Sequence, residues 1–192
     1  MSQFVVELTS PGLTIRPIRN LAGEEHFCEV AFEDVIVDEE ALVGVEGKGW
    51  QQVMAELALE RSAPDRFMSL HSLLEALAGL HTAAGAPARG ALGRLVAHLW
   101  TLSQMSRAVA AQLETGREPL LQSAMVKDLG TAFEQEIPEV VRETLALIEP
   151  EQQSAILRQL QQYAILHAPS FSIRGGTREV LRGIIARGLG LR

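Results

Sequence analysis

The sequence predicts a mainly α fold, an antiparallel helical bundle that is preceded by a short and incomplete β region. The first forty-odd residues contain runs rich in β-branched and aromatic side chains, whereas from Trp50 onward the apolar residues recur at helical spacing. These apolar residues form stripes, which is typical of helices with one wetted side. The change of pattern divides the chain into a partial β-domain over residues 1–46 and a helical bundle over residues 47–192.

Three strands are predicted, over residues 4–8, 13–18 and 27–37, with turn-forming stretches between them. Neither face of the third run is purely polar, so we expect both faces to be partly covered. Cys28 lies in this run and is expected to be a small buried hydrophobic residue. Three strands leave open edges and uncovered faces, so this region looks incomplete as an independent domain.

The first predicted helix begins after Gly44, Gly47 and Gly49 and carries the stripe Trp50, Val53, Met54, Leu57 and Arg61. A proline at position 64 cannot donate a hydrogen bond to the carbonyl of Glu60 and crowds it. We therefore expect the helix to kink or restart just after Glu60.

The later helices follow in order along the chain. Residues 81–90 are predicted to be a loop, and apolar spacing over residues 92–113 predicts a long helix. A further helix is predicted over residues 121–148, with a bend at Pro138 and a break at the following Glu-Pro pair. A shorter helix around residues 156–164 completes the set.

The last stretch, residues 171–192, predicts a glycine turn that leads into a helix. Gly175 and Gly176 can adopt backbone angles that are closed to other residues, and Thr177 is a good N-cap. Such a corner presents free N–H groups and the positive end of a helix, which suits a phosphate or pyrophosphate. A capped turn without a ligand explains the same residues, and their spacing does not choose between the two.

Composition and charge exclude several classes of protein. Hydrophobic residues make up 47% of the 192 residues and charged residues 21%, which is typical of a globular protein. The net charge of −7 and the lack of a basic run argue against a nucleic-acid partner. No apolar stretch is long enough to span a membrane, and the first residues do not follow a secretory signal pattern. With a single cysteine, these features predict a cytoplasmic protein without an internal disulfide.

Candidate chemistry is sparse. The five histidines, at positions 26, 71, 81, 98 and 167, have no metal-ligand spacing and are expected to be surface or satisfied core residues, so no metal site is predicted. The nucleophile motif G-x-S-x-G is absent. Glu60 stands in a mostly apolar run next to the expected distortion at Pro64. It is either a partly desolvated carboxylate that can act as a general base, or an exposed glutamate paired with Arg61 or a neighbouring helix.

Four segments together resemble the C-terminal half of the flavin-dependent acyl-CoA dehydrogenases. They are P-G-L-T-I-R-P-I at residues 11–18, F-C-E-V-A-F-E-D-V-I-V at 27–37, L-V-G-V-E-G-K-G-W at 42–50, and I-R-G-G-T-R-E-V-L-R-G-I-I-A-R at 173–187. Their order matches the family's layout of a middle β-domain followed by a C-terminal helical bundle. The resemblance covers nearly the whole chain.

The resemblance implies an oxidoreductase of fatty acid metabolism that acts on acyl-CoA. In the family a glutamate removes the α-proton of the thioester while a hydride passes from the β-carbon to FAD, which yields a 2-enoyl-CoA. The electrons usually go on to an electron-transfer flavoprotein. The cofactor carries the redox chemistry, so the protein supplies a base, orientation and a dry pocket.

The resemblance also assigns residues to this site. In many members the catalytic glutamate immediately precedes the Gly-Thr of the tail, a place held here by Gly175, which cannot act as a base. Other members carry the base on the first bundle helix, in a Leu-x-Leu-Glu-Arg setting that residues 57–61 match. The resemblance therefore implies that Glu60 is catalytic and that Arg61 orients it or contacts the acyl-CoA.

The remaining assignments concern the tail. Thr177 and Glu179 fall where the family contacts the adenosine portion of FAD, and Arg187 falls where some members touch CoA. The full set of implied cofactor-binding residues is Arg174, Gly175, Gly176, Thr177 and Glu179.

Several family features are not found in this sequence. The N-terminal helical domain and the first half of the β-domain have no counterpart, and the Arg-x-x-Phe-Gly motif is replaced by residues 83–93. The Gln-x-x-Gly-Gly-x-Gly segment is replaced by residues 149–162. In the family both motifs help to bind FAD across a subunit interface, so we expect flavin binding by this chain alone to be weak or absent.

Two functions follow from these observations. The chain is a fragment or subunit of a working acyl-CoA dehydrogenase, completed in a homo- or hetero-oligomer with a longer acyl-CoA dehydrogenase chain. Alternatively, it is a non-catalytic structural subunit of a heteromeric acyl-CoA dehydrogenase. The acyl-chain specificity is not predicted by these residues.

Overall fold

The computed structural model describes residues 1–80 and 85–191 of the chain. Within these residues six α-helices accompany only short two-stranded sheets, which confirms the predicted mainly α fold. The chain forms two compact units, Met1–Glu56 and Leu57–Arg192, and the division between them lies inside the first α-helix.

The first unit contains two antiparallel strand pairs. Strand β1 (Gln3–Phe4) pairs with β4 (Leu42–Val43), and β2 (Leu13–Ile18) pairs with β3 (Phe27–Phe32). In the second pair Leu13 lies opposite Phe32 and Ile18 opposite Phe27. The unit is therefore built from hairpin-sized pieces rather than from a continuous sheet.

Several expectations for this region are wrong. The first strand contains two residues rather than five, and β4 was not predicted. Strand β3 ends at Phe32 because the chain turns at Asp34, whose φ of 51° is in the left-handed region. All six residues of β3 are exposed, Cys28 among them, because a two-stranded sheet covers neither of its own faces.

The second unit is a set of packed helices. Helix α4 lies at its centre, in contact with α2, α3, α5 and α6. Its buried side chains include Val126, Phe133, Ile137 and Val141, which join Leu95 of α3 in the main core. The helices are α1 (Gly49–Ser62), α2 (His71–Ala78), α3 (Gly85–Glu114), α4 (Leu120–Leu145), α5 (Ala155–His167) and α6 (Arg178–Gly188).

The helix boundaries agree with the predicted ones to within about three residues, except at the start of α3. Helix α3 begins at Gly85, so residues 85–90 are helical rather than part of a loop, while residues 81–84 lie outside the described part of the chain. Pro87 falls in the first turn of α3, where a missing N–H costs no helical hydrogen bond. Among the described helices, none has the combination of length and apolarity that crossing a bilayer requires.

Pro64 ends the first helix as expected. Helix α1 stops at Ser62, and a 3₁₀ turn over Pro64–Arg66 follows it. This turn approaches α4 at Gly130, where an added Cβ would lie 2.7 Å from the carbonyl oxygen of Arg66 and 3.1 Å from the Cβ of Phe67. Phe67 is almost fully buried, so the turn is held against α4 by a buried ring and by the missing side chain of Gly130.

This contact gives a matched pair of glycine substitutions. We expect Gly130→Ala to lower the free energy of unfolding by about 1–3 kcal/mol, because the new methyl group collides with the backbone of the turn. Gly90→Ala, at an open position in α3, should raise it by about 0.5–1 kcal/mol. Urea unfolding of both variants tests this, and equal stability of the two variants would contradict it.

Candidate active site

The glycine corner of the tail has the predicted geometry. Gly175 has a φ of 69° and Gly176 a φ of 111°, both in the region that favours glycine. Thr177 is the N-cap of α6, and its hydroxyl oxygen accepts a hydrogen bond from the backbone N–H of Val180 at 3.4 Å. The chain thus turns sharply at the two glycines and enters α6 through a capped end.

Glu60 lies beside this corner. An added Cβ on Gly175 would be 3.6 Å from the Oε1 atom of Glu60. The side chain of Glu60 is 36% exposed, so it is neither fully buried nor free in solvent. The fold therefore brings the carboxylate of Glu60, near the end of α1, beside the backbone of Gly175.

Arg61 contacts the same glycine corner. Its Nε donates a hydrogen bond to the carbonyl oxygen of Gly175 at 2.8 Å, and an added Cβ on Gly176 would be 3.3 Å from its Nη2. Arg61 is only 4% exposed. Burial lowers the pKa of its guanidinium, and the carboxylate of Glu60 opposes that shift. The Nη1 of Arg61 is buried without a hydrogen-bond partner among the described residues.

Glu60 has an ion-pair partner that the sequence did not suggest. Its Oε1 pairs with the Nη2 of Arg66, a residue of the 3₁₀ turn, and not with Arg61. The Nε of Arg66 also donates to the main-chain carbonyl oxygen of Glu60 at 3.2 Å. The sequence signal for this contact was Pro64, which leaves that carbonyl in need of another donor.

Beneath the corner lies a network of buried charges. Glu134 of α4, which is fully buried, accepts hydrogen bonds from the backbone N–H of Ser69 at 2.9 Å and from the Nη2 of Arg174 at 2.6 Å. The guanidinium of Arg174 also lies 4.5 Å from the ring centroid of Phe171. Arg174 is therefore engaged within the chain, where it holds the tail onto α4.

Lys127 is the second fully buried charged residue of this network. Its Nζ donates to the carbonyl oxygen of Phe171 at 2.9 Å and to the hydroxyl of Thr131. Burial, together with the nearby charge of Arg174, lowers the pKa of Lys127 to about 8. Sequence reasoning missed both Lys127 and Glu134, although their positions within the apolar stripe of α4, seven residues apart, were a signal for buried polar groups.

Glu179 and Arg187 lie on α6. Glu179 is exposed in the first turn, and the pKa of its carboxyl is lowered because it accepts hydrogen bonds from its own backbone N–H and from Thr177. Arg187 lies in the last turn, about 12 Å further along the helix axis at 1.5 Å per residue. Both line an open cavity of about 480 Å³ with Arg182, Gly183 and Ala186.

The two ends of the corner differ in what they can bind. Cβ atoms added to Gly175 and Gly176 would lie within 3.7 Å of side-chain atoms of Glu60, Lys127, Arg61 and Leu181. The exposed start of α6 fits the hydroxyl groups of a nucleoside, because the carboxylate of Glu179 accepts hydrogen bonds. The residues present thus fit the adenosine end of a flavin dinucleotide at Thr177 and Glu179.

No group of three or more His, Cys, Asp or Glu side chains in the described residues could hold a metal ion. Four of the histidines are exposed or half-buried, and His81 lies outside the described part of the chain.

The chain is similar over its whole length to acyl-CoA dehydrogenases. It is 30% identical over 193 residues to acyl-CoA dehydrogenase FadE34 of Mycobacterium tuberculosis, a match that covers 98% of the chain and 26% of that protein. It is 30% identical over 197 residues to acyl-CoA dehydrogenase IpdE1 of Mycolicibacterium smegmatis, covering 100% of the chain and 49% of that protein. No family model matches the chain.

Two solved structures share the fold. A variant of the Tcur3481-Tcur3483 steroid ACAD superposes with a TM-score of 0.81 at 20% identity, over 98% of this chain and 52% of that one. The ChsE4-ChsE5 complex from Mycobacterium tuberculosis gives a TM-score of 0.76 at 23% identity, over 98% of this chain and 52% of that one.

These similarities confirm the predicted resemblance to the C-terminal half of acyl-CoA dehydrogenases. It spans about a quarter of the first relative and about half of the second.

The lowered pKa of Lys127 predicts a specific pH dependence of stability. Between its folded pKa of about 8 and its ordinary value of 10.5, the unfolded chain binds more protons, so the contribution of Lys127 to stability rises with pH. Below pH 8 both states are protonated, and the cost of burying the charge is constant. Lys127→Met lacks this effect. The unfolding free energy of the wild type should therefore increase relative to that of the variant by up to about 3 kcal/mol from pH 7.5 to 10.5.

Urea unfolding across this pH range measures the difference. Lys48→Met is the matched control, since Lys48 is exposed and is the other lysine of the sequence. A constant difference between the wild type and Lys127→Met would show that the Lys127 ammonium is not desolvated.

Proposed function

We propose that this chain supplies the C-terminal half and the catalytic base of an acyl-CoA dehydrogenase-type flavoprotein. The observation that carries the proposal is the approach of the Glu60 carboxylate to Gly175, where an added Cβ would lie 3.6 Å from Oε1. Two positions implied by the family resemblance, one on the first bundle helix and one in the tail, thus meet at one place. The similarity to acyl-CoA dehydrogenases over the whole chain supports a dehydrogenase-type role.

In this proposal Glu60 removes a proton from the α-carbon of an acyl-CoA thioester and becomes a neutral carboxylic acid. A bound flavin supplies the acceptor for the hydride that leaves the β-carbon, so the product is a 2-enoyl-CoA. Arg61 holds the tail next to Glu60 through its hydrogen bond to the Gly175 carbonyl, and in this proposal it orients the base or contacts the acyl-CoA.

The start of α6 is the proposed contact for the adenosine end of FAD, through Thr177 and Glu179. Arg187, at the other end of α6, is the proposed contact for CoA. Arg174, Gly175 and Gly176 contribute by shaping the corner rather than through free donor groups, since Arg174 is bound to Glu134.

The proposed partners are a longer acyl-CoA dehydrogenase chain and an electron-transfer flavoprotein that reoxidises the flavin. One of the similar structures is a complex of two named proteins, ChsE4 and ChsE5, which supports a heteromeric assembly. Because another is a steroid ACAD, steroid acyl-CoA thioesters belong in the substrate panel beside straight-chain ones.

A non-catalytic structural subunit is the second candidate. The observation that favours it is that the carboxylate of Glu60 is already paired with Arg66 within the chain. In that case the ion pair of Glu60 with Arg66 stabilises the end of α1, and Glu60 takes no part in catalysis. The first of the two experiments below separates the two functions.

We expect Glu60→Gln to lower the rate of dye-linked acyl-CoA oxidation by a flavin-loaded complex about 100-fold or more, because the amide cannot accept the α-proton. Glu56→Gln is the matched control on the same helix, since Glu56 is exposed one turn earlier, and should leave the rate within about twofold. An unchanged rate in Glu60→Gln would support the structural subunit instead.

The purified chain alone should be colourless, because much of the family's FAD site lies outside these 192 residues. The chain should then be mixed with a longer acyl-CoA dehydrogenase partner, or with a polypeptide that carries the part of its relatives that this chain does not match. We expect the two polypeptides to elute together as a complex that shows flavin absorption. Yellow, active protein from the isolated chain would contradict this expectation.

A further inference from the structure

The ion pair between Glu60 and Arg66 has a cause in the backbone. In an uninterrupted helix the N–H of residue 64 would donate to the carbonyl oxygen of Glu60, but Pro64 has no N–H. Among the backbone N–H groups of the described residues, that of Ala63 donates to this carbonyl over a long distance of 3.4 Å. The Nε of Arg66, at 3.2 Å, provides the further donor that this carbonyl needs.

The two hydrogen bonds of Arg66 hold both the backbone and the side chain of Glu60. While Nε binds the main-chain carbonyl, Nη2 of the same planar guanidinium binds Oε1 of the carboxylate. A rigid fork that holds the backbone and the side chain of one residue leaves that side chain little rotational freedom. The carboxylate is therefore held on the side that faces Gly175.

Arg66 is itself held in place. Its side chain is only 13% exposed, and Phe67, the next residue, is 1% exposed in the main core. The carbonyl of Arg66 lies against Gly130 of α4 in a space that any larger residue would fill. Asp65 adds a contact to Nε at 3.4 Å. The guanidinium thus has a fixed base from which to orient Glu60.

We infer that Arg66 is a positioning residue that holds the Glu60 carboxylate at the glycine corner in the orientation required for proton abstraction. This inference rests on the proposed function of Glu60. Neither residue 66 nor its turn belongs to the four segments that carry the family resemblance. The role follows from the contacts of Arg66 with Glu60 alone.

Stopped-flow reduction of the flavin in the loaded complex by a saturating acyl-CoA tests the inference. Arg66→Gln should lower the rate constant of reduction about 10-fold to 100-fold while the substrate concentration for half-saturation stays within about twofold, because the base is present but misaligned. Arg66→Lys should restore part of the rate, since it keeps the charge but not the two-armed geometry.

The rate constant is the informative readout because it is measured per bound flavin. A merely structural role of Arg66 would reduce the amplitude of flavin reduction, through fewer loaded complexes, and would leave the rate constant unchanged. Arg142→Gln, which breaks an exposed Arg–Glu pair on α4, is the matched control and should change neither.

A second measurement uses the chain alone. Glu60→Gln and Arg66→Gln should each lower the unfolding midpoint in urea, and the double variant should lose less than the sum of the two, because both changes break the same contact. Additive losses would show that the pair does not form in solution and would overturn the inference.

The failures of the two proposals are distinguishable. If Glu60→Gln abolishes flavin reduction while Arg66→Gln leaves the rate constant within twofold of the wild type, the inference about Arg66 is wrong and the proposed function stands. If Glu60→Gln reduces flavin at the wild-type rate, the proposed function of Glu60 is wrong and the inference falls with it.

Discussion

Two fully buried charged side chains on α4, Lys127 and Glu134, determine where the tail of the chain lies. Lys127 binds the carbonyl of Phe171 and Glu134 binds the guanidinium of Arg174, so both hold the segment that leads into the glycine corner. Loss of Arg174 would leave the buried carboxylate of Glu134 without its charged partner, which costs about 3–5 kcal/mol in a fully buried ion pair. The tail is therefore bound at defined points, and Gly175 has a defined position.

The position of Glu60 at the corner depends on the backbone N–H that Pro64 lacks. Pro64 ends α1 and frees the Glu60 carbonyl, the 3₁₀ turn carries Arg66 back to it, and Gly130 lets that turn approach α4. Helix α4 thus contacts the turn that follows α1 at Gly130, and it binds the tail through its two buried charged side chains. The candidate site lies where these two long-range contacts meet, and neither alone would bring Glu60 to Gly175.

Local patterns predicted the local structure well. The cap at Thr177, the turn at the two glycines and the end of α1 near Pro64 all follow from backbone preferences of single residues. The burial of Cys28 was predicted wrongly, because alternation within a strand does not reveal whether any layer covers it. The start of α3 at Gly85 was missed because the glycines and the proline of this segment were interpreted as loop residues, although the alanines among them favour a helix.

The candidate site was predictable only in part. Family resemblance pointed to Glu60 and to the tail, but their proximity depends on the packing of the Pro64–Arg66 turn and of the tail against α4, which no local pattern encodes. Lys127 and Arg66 act through partners distant in sequence or beyond a helix end. The most direct measurement is an experimental structure of the flavin-loaded complex with an unreactive acyl-CoA analogue. We expect the Glu60 carboxylate within about 3.5 Å of the α-carbon, beside Gly175. Another carboxylate at the α-carbon, with Glu60 turned away, would contradict the account.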